Sequence, residues 1–198
     1  MLKNKPLVSI IVPCWGSYKQ YLKQCLDSID NQSFKDYEVI VVSNKTDLPS
    51  ARNEGIKKAK GNYILPLDVD DKIEPTFIEK CLQANCDIVS TSQREFGDSQ
   101  IVNLIHQNPT YEDFLTGNRI CSCSLFKRKI WEDIRGYDEN MKEGYEDWDF
   151  WLRALKKGYK VKTIQEPLYL YRKHGKSMVD EAIEKHEKLK SYILNKHI

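Results

Sequence analysis

Long apolar runs, the sequence features of a signal peptide and paired cysteine motifs are all missing from these 198 residues. No apolar stretch approaches the ~18–20 residues that a membrane-spanning helix needs, so we expect no transmembrane protein. The apolar segment 7–12 is short and lacks a small-residue cleavage site, which argues against a signal peptide. The six cysteines form no C-x-x-C pair, so we expect reduced structural thiols and a cytoplasmic protein.

A strong excess of charge is missing too. Lys and Arg total 31 and Asp and Glu total 29, which leaves a net charge of +2 and no basic footprint for nucleic acid. The sequence contains no G-x-x-x-x-G-K-[ST], G-x-G-x-x-G or G-x-S-x-G motif. These absences argue against phosphate-loop NTPases, Rossmann dehydrogenases and α/β-hydrolases.

Short β-branched runs alternate with segments of helical spacing in the first half of the chain. We predict strands over 7–12, 38–42, 63–67 and 87–90, and helices over 18–29, 49–60 and 75–82. This alternation predicts an α/β fold: a Rossmann-like αβα sandwich around a mainly parallel mixed central sheet.

The second half is less regular. Residues 93–110 are polar and turn-rich, which predicts a loop. We predict helices over 111–116 and 146–157, strands over 121–126, 160–164 and 168–171, and a basic helix over 179–198. Because no linker or repeat interrupts the chain, we expect one domain over 1–198.

Three predicted strand ends carry side chains suited to ligand binding. Pro13 and Trp15 follow the first strand, Asn44 follows the second, and Asp68 and Asp70 follow the third. Ligands of α/β sheets bind beyond the carboxyl ends of the strands. An aromatic ring, an amide and several carboxylates are therefore expected at one edge of the sheet.

The acidic cluster Asp68-Val69-Asp70-Asp71 is the most informative motif. Three carboxylates within four residues repel one another, and Mg²⁺ or Mn²⁺ would relieve that repulsion. Such an ion commonly binds phosphate oxygens as well, which points to a nucleotide diphosphate. A solvated turn that caps the next helix is the alternative.

A second acidic cluster, Glu146-Asp147-Trp148-Asp149, lies at a predicted helix start. One interpretation is a general base in a site walled by Trp148. The other is purely structural, because the helix macrodipole favours carboxylates in a first turn. His174 would be a metal ligand only if the first cluster binds a metal, since a lone histidine is usually packed or exposed.

The order of these motifs resembles that of the GT-A-fold glycosyltransferases of the inverting family 2 type. The resemblance covers residues 8–178 and depends on the segments Val8–Pro13, Ala51-Arg52-Asn53-Glu54-Gly55-Ile56, Asp68-Val69-Asp70-Asp71, Gly144-Tyr145-Glu146-Asp147-Trp148-Asp149 and Pro167-Leu168-Tyr169-Leu170-Tyr171-Arg172 with His174. It implies a single GT-A domain with a nucleotide-sugar-binding half (1–90), an acceptor-binding half (91–178) and a C-terminal helix (179–198).

The resemblance also implies roles for individual residues. Asp70 and His174 would hold Mn²⁺ or Mg²⁺, with Asp71 in support. The nucleotide sugar would contact Pro13, Trp15, Asn44, Arg52, Asp68, Val69 and Asp70. Asp147 would be the general base, Glu146 would orient the acceptor, and Trp148 would contact it. The implied reaction is an inverting, metal-dependent transfer from a UDP-sugar to a hydroxyl of a glycan, glycoprotein or glycolipid.

Residues 43–47 depart from the family pattern. Most members carry an Asp-Asp-Gly-Ser type stretch there, whereas this chain has Ser43-Asn44-Lys45-Thr46-Asp47. This departure favours one alternative, a nucleotide-sugar-binding module that has lost turnover. A second alternative, a nucleotidyltransferase on a similar fold, would leave the cluster Glu146-Asp147-Trp148-Asp149 unexplained. The basic tail either packs on the domain or contacts an anionic membrane. The chain can also be one domain of a longer protein.

Overall fold

The first half of the chain alternates strands and helices, as predicted, in a computed structural model that describes residues 5–175 and 178–197. Its elements are β1 (Val8–Pro13), a 3₁₀ helix (Gly16–Tyr21), α1 (Leu22–Asp30), β2 (Tyr37–Val42), α2 (Leu48–Lys58), β3 (Tyr63–Pro66), β4 (Lys72–Ile73) and α3 (Phe77–Gln83). The helix predicted over 18–29 thus begins as a 3₁₀ segment and continues as α1.

The second half contains the two longest strands, β5 and β8. Its elements are β5 (Ile88–Gly97), β6 (Val102–Asn103), α4 (Tyr111–Thr116), β7 (Leu125–Lys127), α5 (Arg128–Asp133), α6 (Glu146–Lys156), β8 (Val161–Lys173), α7 (Met178–Glu184) and α8 (His186–Leu194). The helices predicted over 111–116 and 146–157 are therefore α4 and α6.

One mixed sheet joins the two halves. Its described strands follow the order β2-β1-β3-β7-β5-β8-β4, and β6 pairs with β5 at one side. The parallel pairs β1–β2, β1–β3 and β5–β8 are the long ones. The antiparallel pairs β3–β7, β4–β8, β5–β6 and β5–β7 are short. The predicted α/β fold with a mixed, mainly parallel sheet is confirmed.

Helices cover both faces of this sheet. Ile10 and Leu65 belong to a core shared with α1 and α3, whereas their neighbours Ile11 and Ile64 belong to a core shared with α2, α5 and α6. Successive side chains of a strand point to opposite faces, so each β-branched run supplies both cores at once. The predicted αβα layering follows from this alternation.

Residues 93–97, predicted as part of a loop, continue β5 instead. Gln93 and Arg94 pair with β6 on one side and with β8 on the other, so backbone pairing rather than apolar burial holds this part of the strand. Strand β8 likewise runs unbroken through Pro167 and joins two predicted strands. The register with β5 shifts on both sides of Pro167, because β8 has extra residues there while residues 91–93 of β5 follow one another without a gap.

The strand predicted over 121–126 is mostly a turn. The hydroxyl of Ser124 donates to the carbonyl of Cys121 at 2.6 Å, and only Leu125–Lys127 pair as β7. All six cysteines lie among the described residues and are free thiols. No helix within 5–175 and 178–197 has the length and apolarity to cross a bilayer.

The tail, predicted as one helix over 179–198, is two helices. The break lies at Lys185, which precedes α8 and whose backbone N–H donates to the carbonyl of Ala182 at 3.0 Å. Ala182, Leu189 and Ile193 are buried, which favours packing on the domain over membrane contact. Residue 198 lies outside the described residues.

Candidate active site

A cavity of about 350 Å³ lies at the carboxyl ends of β1 and β3, against the start of α6. That volume suits a small-molecule ligand. The predicted site residues that line it are Pro13, Trp15, Arg52, Asp68, Val69, Asp70, Glu146 and Asp147. The structure therefore brings both acidic clusters to the same cavity.

Arg52 connects the two clusters. It is only 1% exposed, although it lines the cavity. Its Nη2 donates to both carboxylate oxygens of Asp68, at 2.9 and 3.2 Å, and its Nη1 donates to Glu146. Burial opposes the charge of the guanidinium, but the carboxylates of Asp68 and Glu146 hold its pKa well above the usual value. The described geometry thus shows these guanidinium nitrogens engaged by protein carboxylates.

Asn53, the next residue on α2, fixes the segment before α6. Its Nδ2 donates to the carbonyl of Tyr137 at 2.9 Å and to Glu139 at 3.0 Å. Its Oδ1 accepts from Trp131 Nε1 and from the backbone N–H of Tyr137, both at 2.9 Å. The amide thus uses both donors and both lone pairs. Helix α2 thereby joins the first half of the chain to the second.

Asp70 lines the other side of the cavity, and His174, which is not part of the lining, lies directly against it. Nε2 of His174 lies 3.0 Å from Oδ2 of Asp70, and the rings of Tyr18 and Tyr21 lie 5.8 and 5.4 Å from the imidazole. Burial, followed by the charge of Asp68, raises the pKa of Asp70. The two residues predicted to share a metal are therefore neighbours.

Asp71 supports this pair through β8. It is 1% exposed, and it accepts from the backbone N–H of Arg172 at 2.7 Å and from the hydroxyl of Tyr169. Burial raises its pKa well above the usual value, and the charge of Asp70 adds to that effect. These bonds hold the acidic loop against the strand that leads to His174.

The donor set of Asp70 and His174 fits a divalent cation that binds mainly through phosphate. A carboxylate oxygen and an imidazole nitrogen are both suitable ligands for Mn²⁺. Among residues 5–175 and 178–197, no group of three or more His, Cys, Asp or Glu side chains could hold a metal. An ion at this pair would therefore take its other ligands from water and donor phosphates, as Mg²⁺ usually does.

The first turn of α6 presents Glu146 and Asp147 to the cavity. Tyr145, just before the helix, adopts a left-handed conformation with φ of +62° and lines the cavity. Burial raises the pKa of Asp147 and raises that of Glu146 to about 7, although Arg52 opposes both shifts. Nδ2 of Asn118 donates to Oδ2 of Asp147 at 2.8 Å. Glu146 is thus buried, whereas Asp147 is half-buried and faces the cavity.

Helix α7 covers one side of the cavity with Met178, Val179 and Ala182. Its close approach depends on Gly144, which has φ of +120°. A Cβ on Gly144 would lie 2.8 Å from the Cβ of Ala182, so a side chain there would push α7 away. Glycine at this position therefore shapes the cavity wall.

Glu146→Gln should flatten the pH dependence of folding stability between about pH 4.5 and 7. The folded-state pKa of Glu146 is about 7, raised from 4.5, so the folded chain binds an extra proton in that window. Protonated Glu146 therefore contributes about 1–3 kcal/mol to the free energy of unfolding below pH 4.5. This contribution is lost as the pH rises through 7. Urea unfolding at pH 5 and pH 7 measures the difference. Exposed Glu112→Gln is the control, and an equal pH dependence in Glu146→Gln and wild type would contradict the prediction.

Trp148 does not reach the cavity, contrary to its predicted place on the acceptor wall. It is 1% exposed, and its Nε1 donates to the carbonyl of Phe114 at 2.8 Å. The apolar stripe of α6 faces the core, so this ring packs inward. Tyr145, one residue before the helix, supplies the aromatic wall instead.

Asn44 lies outside the cavity lining, although it was predicted to contact the donor. It is exposed in the turn after β2. Asp47, in the same stretch, accepts from the backbone N–H of Ser50 at 2.9 Å as the N-cap of α2. The short connection between β2 and α2 therefore caps a helix rather than reaching into the cavity.

Several lining residues were not predicted: Tyr18, Leu48, Asn118, Ser122, Tyr171 and the α7 residues Met178, Val179 and Ala182. Tyr145 belongs to the segment Gly144-Tyr145-Glu146-Asp147-Trp148-Asp149, but the sequence assigned it no role. Asn118 follows a short helix in a polar stretch and gives no signal in the sequence. Its position depends on how α4 packs against α6.

Comparison with known proteins is consistent with this architecture. A family model described as Glycosyl transferase family 2 matches residues 9–48 and 43–135. An uncharacterized glycosyltransferase of Methanocaldococcus jannaschii is 26% identical over 237 residues, covering 98% of this chain and 80% of the relative.

Solved structures share the fold at low sequence identity. TarS of S. aureus in complex with UDP-GlcNAc aligns with a TM-score of 0.74 and 17% identity over 87% of this chain and 60% of TarS. The mannosyltransferase PcManGT from Pyrobaculum calidifontis, in complex with GDP-Man and Mn²⁺, aligns with a TM-score of 0.62 and 16% identity over 85% of this chain and 57% of PcManGT. The chain thus spans about three fifths of each, and the fold predicted from sequence is confirmed.

Proposed function

Because the chain belongs to glycosyl transferase family 2, we propose that it moves a sugar from a nucleotide-diphosphate donor to an acceptor hydroxyl. One observation carries the proposal: Asp68 and Asp70 after β3 share a cavity with Asp147 of α6. Such a transfer needs carboxylates on the donor side and a separate carboxylate that can remove a proton.

Asp147 is the general base in this mechanism. Its carboxylate accepts the proton of the acceptor hydroxyl while that oxygen forms a bond to the anomeric carbon of the donor. The bond from that carbon to the diphosphate breaks on the opposite face, and the nucleoside diphosphate leaves with the bonding electrons. The sugar configuration therefore inverts. Burial raises the pKa of Asp147, which makes its carboxylate a better base near neutral pH.

Asp70 and His174 would hold Mn²⁺ or Mg²⁺ on the donor diphosphate. A bound cation would neutralise the negative charge that develops on the leaving group. Arg52 lines the cavity and stays a candidate contact for the donor. Its bonds to Asp68 and Glu146 support a role in holding the donor and acceptor sides at a fixed separation.

We favour a UDP-sugar as donor. TarS, a structural neighbour, is solved with UDP-GlcNAc, whereas PcManGT is solved with GDP-Man. In this chain Pro13, Trp15 and Leu48 line the cavity, and the ring of Trp15 suits a flat nucleobase, because an aromatic face stacks on it. The nucleobase would be held by the shape of the cavity rather than by a polar contact, since Asn44 lies outside the cavity lining.

The acceptor we propose is a glycan, glycoprotein or glycolipid hydroxyl, with Tyr145 as the aromatic wall. A cytoplasmic location fits the free thiols. A peripheral membrane contact would have to use the exposed side of the tail, where Val179 and Ile183 are 48% and 60% exposed. That contact would bring a lipid-linked acceptor near the cavity wall formed by α7.

A second candidate is a module of the same fold that binds nucleotide sugars without turnover. The exposed position of Asn44 favours it, because the donor lacks a polar partner there. A nucleotidyltransferase is less well supported, since it would give Asp147 no role.

Removal of divalent metal should abolish UDP release from UDP-sugars and weaken UDP binding. Asp70→Asn should also weaken UDP binding in Mn²⁺, by about 10–100-fold, because one of the two proposed metal ligands loses its charge. Calorimetry with UDP, in Mn²⁺ and in EDTA, measures the binding.

Asp36→Asn, at an exposed position after α1, is the matched control. The enzyme proposal would fail if UDP-, GDP- and dTDP-sugars were neither bound nor hydrolysed in Mn²⁺.

A further inference from the structure

We propose that Asn118 is a positioning residue that orients the carboxylate of the general base, an assignment that rests on the proposed function. Nδ2 of Asn118 donates to Oδ2 of Asp147 at 2.8 Å, and both side chains line the cavity. One carboxylate oxygen is thereby held in place. The other, Oδ1, is left to accept the proton of the acceptor hydroxyl.

The loop that carries Asn118 is fixed on both sides. Before it, Nε1 of Trp148 donates to the carbonyl of Phe114 at 2.8 Å and holds α4 against α6. After it, Nε of Arg119 donates to the carbonyl of Asp113 at 3.0 Å and closes the loop back on α4. Because α6 also carries the base, the packing of α4 on α6 sets the distance between amide and carboxylate.

The backbone next to Asn118 sets the direction of its amide. Oδ1 of Asn118 accepts from the N–H of Ile120 at 3.5 Å, which leaves Nδ2 to face the cavity. An ionised carboxylate only accepts hydrogen bonds, so a donor at this point favours the charged form of Asp147. Accordingly, the bond from Asn118 opposes the burial that raises the pKa of Asp147.

Other charged groups also affect the pKa of Asp147, and a test of Asn118 has to leave them unchanged. Arg52 favours its charged form, whereas Asp68 and Glu146 oppose it. The titratable groups around Asp147 are Arg52, Asp68, Cys121, Tyr137, Tyr145 and Glu146. Substitution of Asn118 leaves all of them in place.

Carbon-13 NMR of protein labelled at the aspartate Cγ tests the contact without any substrate. The signal of Asp147 is assigned by its loss in Asp147→Asn, and a Glu146→Gln background removes the coupled titration of the neighbour. In Asn118→Ala the titration midpoint of Asp147 should rise by about half to one pH unit. In Asn118→Asp it should rise further, because a second carboxylate then faces the first.

Asn31→Ala, at the exposed C-cap of α1 outside the cavity, is the matched control and should leave the midpoint unchanged. An unchanged midpoint in Asn118→Ala, or an equal rise in Asn31→Ala, would overturn the assignment. These outcomes do not depend on turnover, so they are separate from a failure of the proposed function.

Kinetics with UDP-GlcNAc, UDP-glucose and UDP-galactose form the second arm. Asn118→Ala should lower kcat for UDP release about tenfold, move the acidic limb of the kcat profile to higher pH, and leave the donor KM within about twofold. A loss confined to the donor KM would overturn the positioning role. A wild-type chain without turnover would refute the proposed function, while the expected NMR shift would still support the orientation of Asp147.

Discussion

Asp147→Asn should reduce sugar transfer by about 10²–10⁴-fold and leave donor binding nearly unchanged. The amide keeps the shape of the carboxylate but cannot accept the hydroxyl proton. Donor binding should persist because the carboxylates proposed to bind the donor, Asp68 and Asp70, follow β3 rather than α6. Single-turnover UDP release measures the first effect, and UDP affinity in Mn²⁺ measures the second.

Asp30→Asn, at the exposed end of α1, controls for the loss of one negative charge. If UDP affinity fell as steeply as transfer in Asp147→Asn, the residue would be a donor ligand rather than the base. That result would also remove the reason for holding Oδ1 toward the acceptor.

Arg52→Leu should lower the free energy of unfolding by about 3–5 kcal/mol, because it leaves two carboxylates close together without their cation. Glu146 is 4% exposed and cannot gain solvation in place of the lost partner. Arg52→Lys should recover only part of the loss, since an ammonium cannot reproduce the fork that reaches both Asp68 and Glu146. Urea denaturation at about pH 9, above the pKa of about 7 that burial gives Glu146, measures each variant with that carboxylate ionised.

The double variant Arg52→Leu with Glu146→Gln separates charge from packing. Neutralising Glu146 should restore part of the stability, because the uncompensated buried charge is then gone. Arg94→Leu, at an exposed position of β5, is the matched control. A single Arg52→Leu variant within about 1 kcal/mol of wild type would contradict the expected value of a buried pair.

Local patterns explain why the sheet and its ligand edge could be predicted. Segments 7–12 and 63–67 are apolar on both faces, and this alone marks central strands of a layered sheet. The polar end of β5 could not be predicted, because Gln93 pairs with Tyr169, far along the chain. Its strand conformation comes from that partner rather than from its own residues.

Some residues of the candidate site could be predicted from the sequence, and others could not. Crowded carboxylates such as Asp68 and Asp70 are unusual wherever they occur, so sequence identifies them. Trp148 is different, because an aromatic ring on a helix stripe has the same pattern whether it faces the core or a cavity. Asn118 is an ordinary loop residue until α4 is packed on α6, and only tertiary structure gives it a role.

The contacts of α2 have a consequence for how the chain acquires its structure. Arg52 bonds to a residue 94 positions later, and Asn53 bonds to residues 78 and 84 positions later. During synthesis, the amide of Asn53 therefore has none of these partners, and the guanidinium of Arg52 has only Asp68, until the segment 131–146 follows. Such long-range closure is slow, and an isolated first half would keep those buried groups unsatisfied. We expect both halves to fold in one cooperative step, so that the donor side does not form before the residues that carry out proton removal.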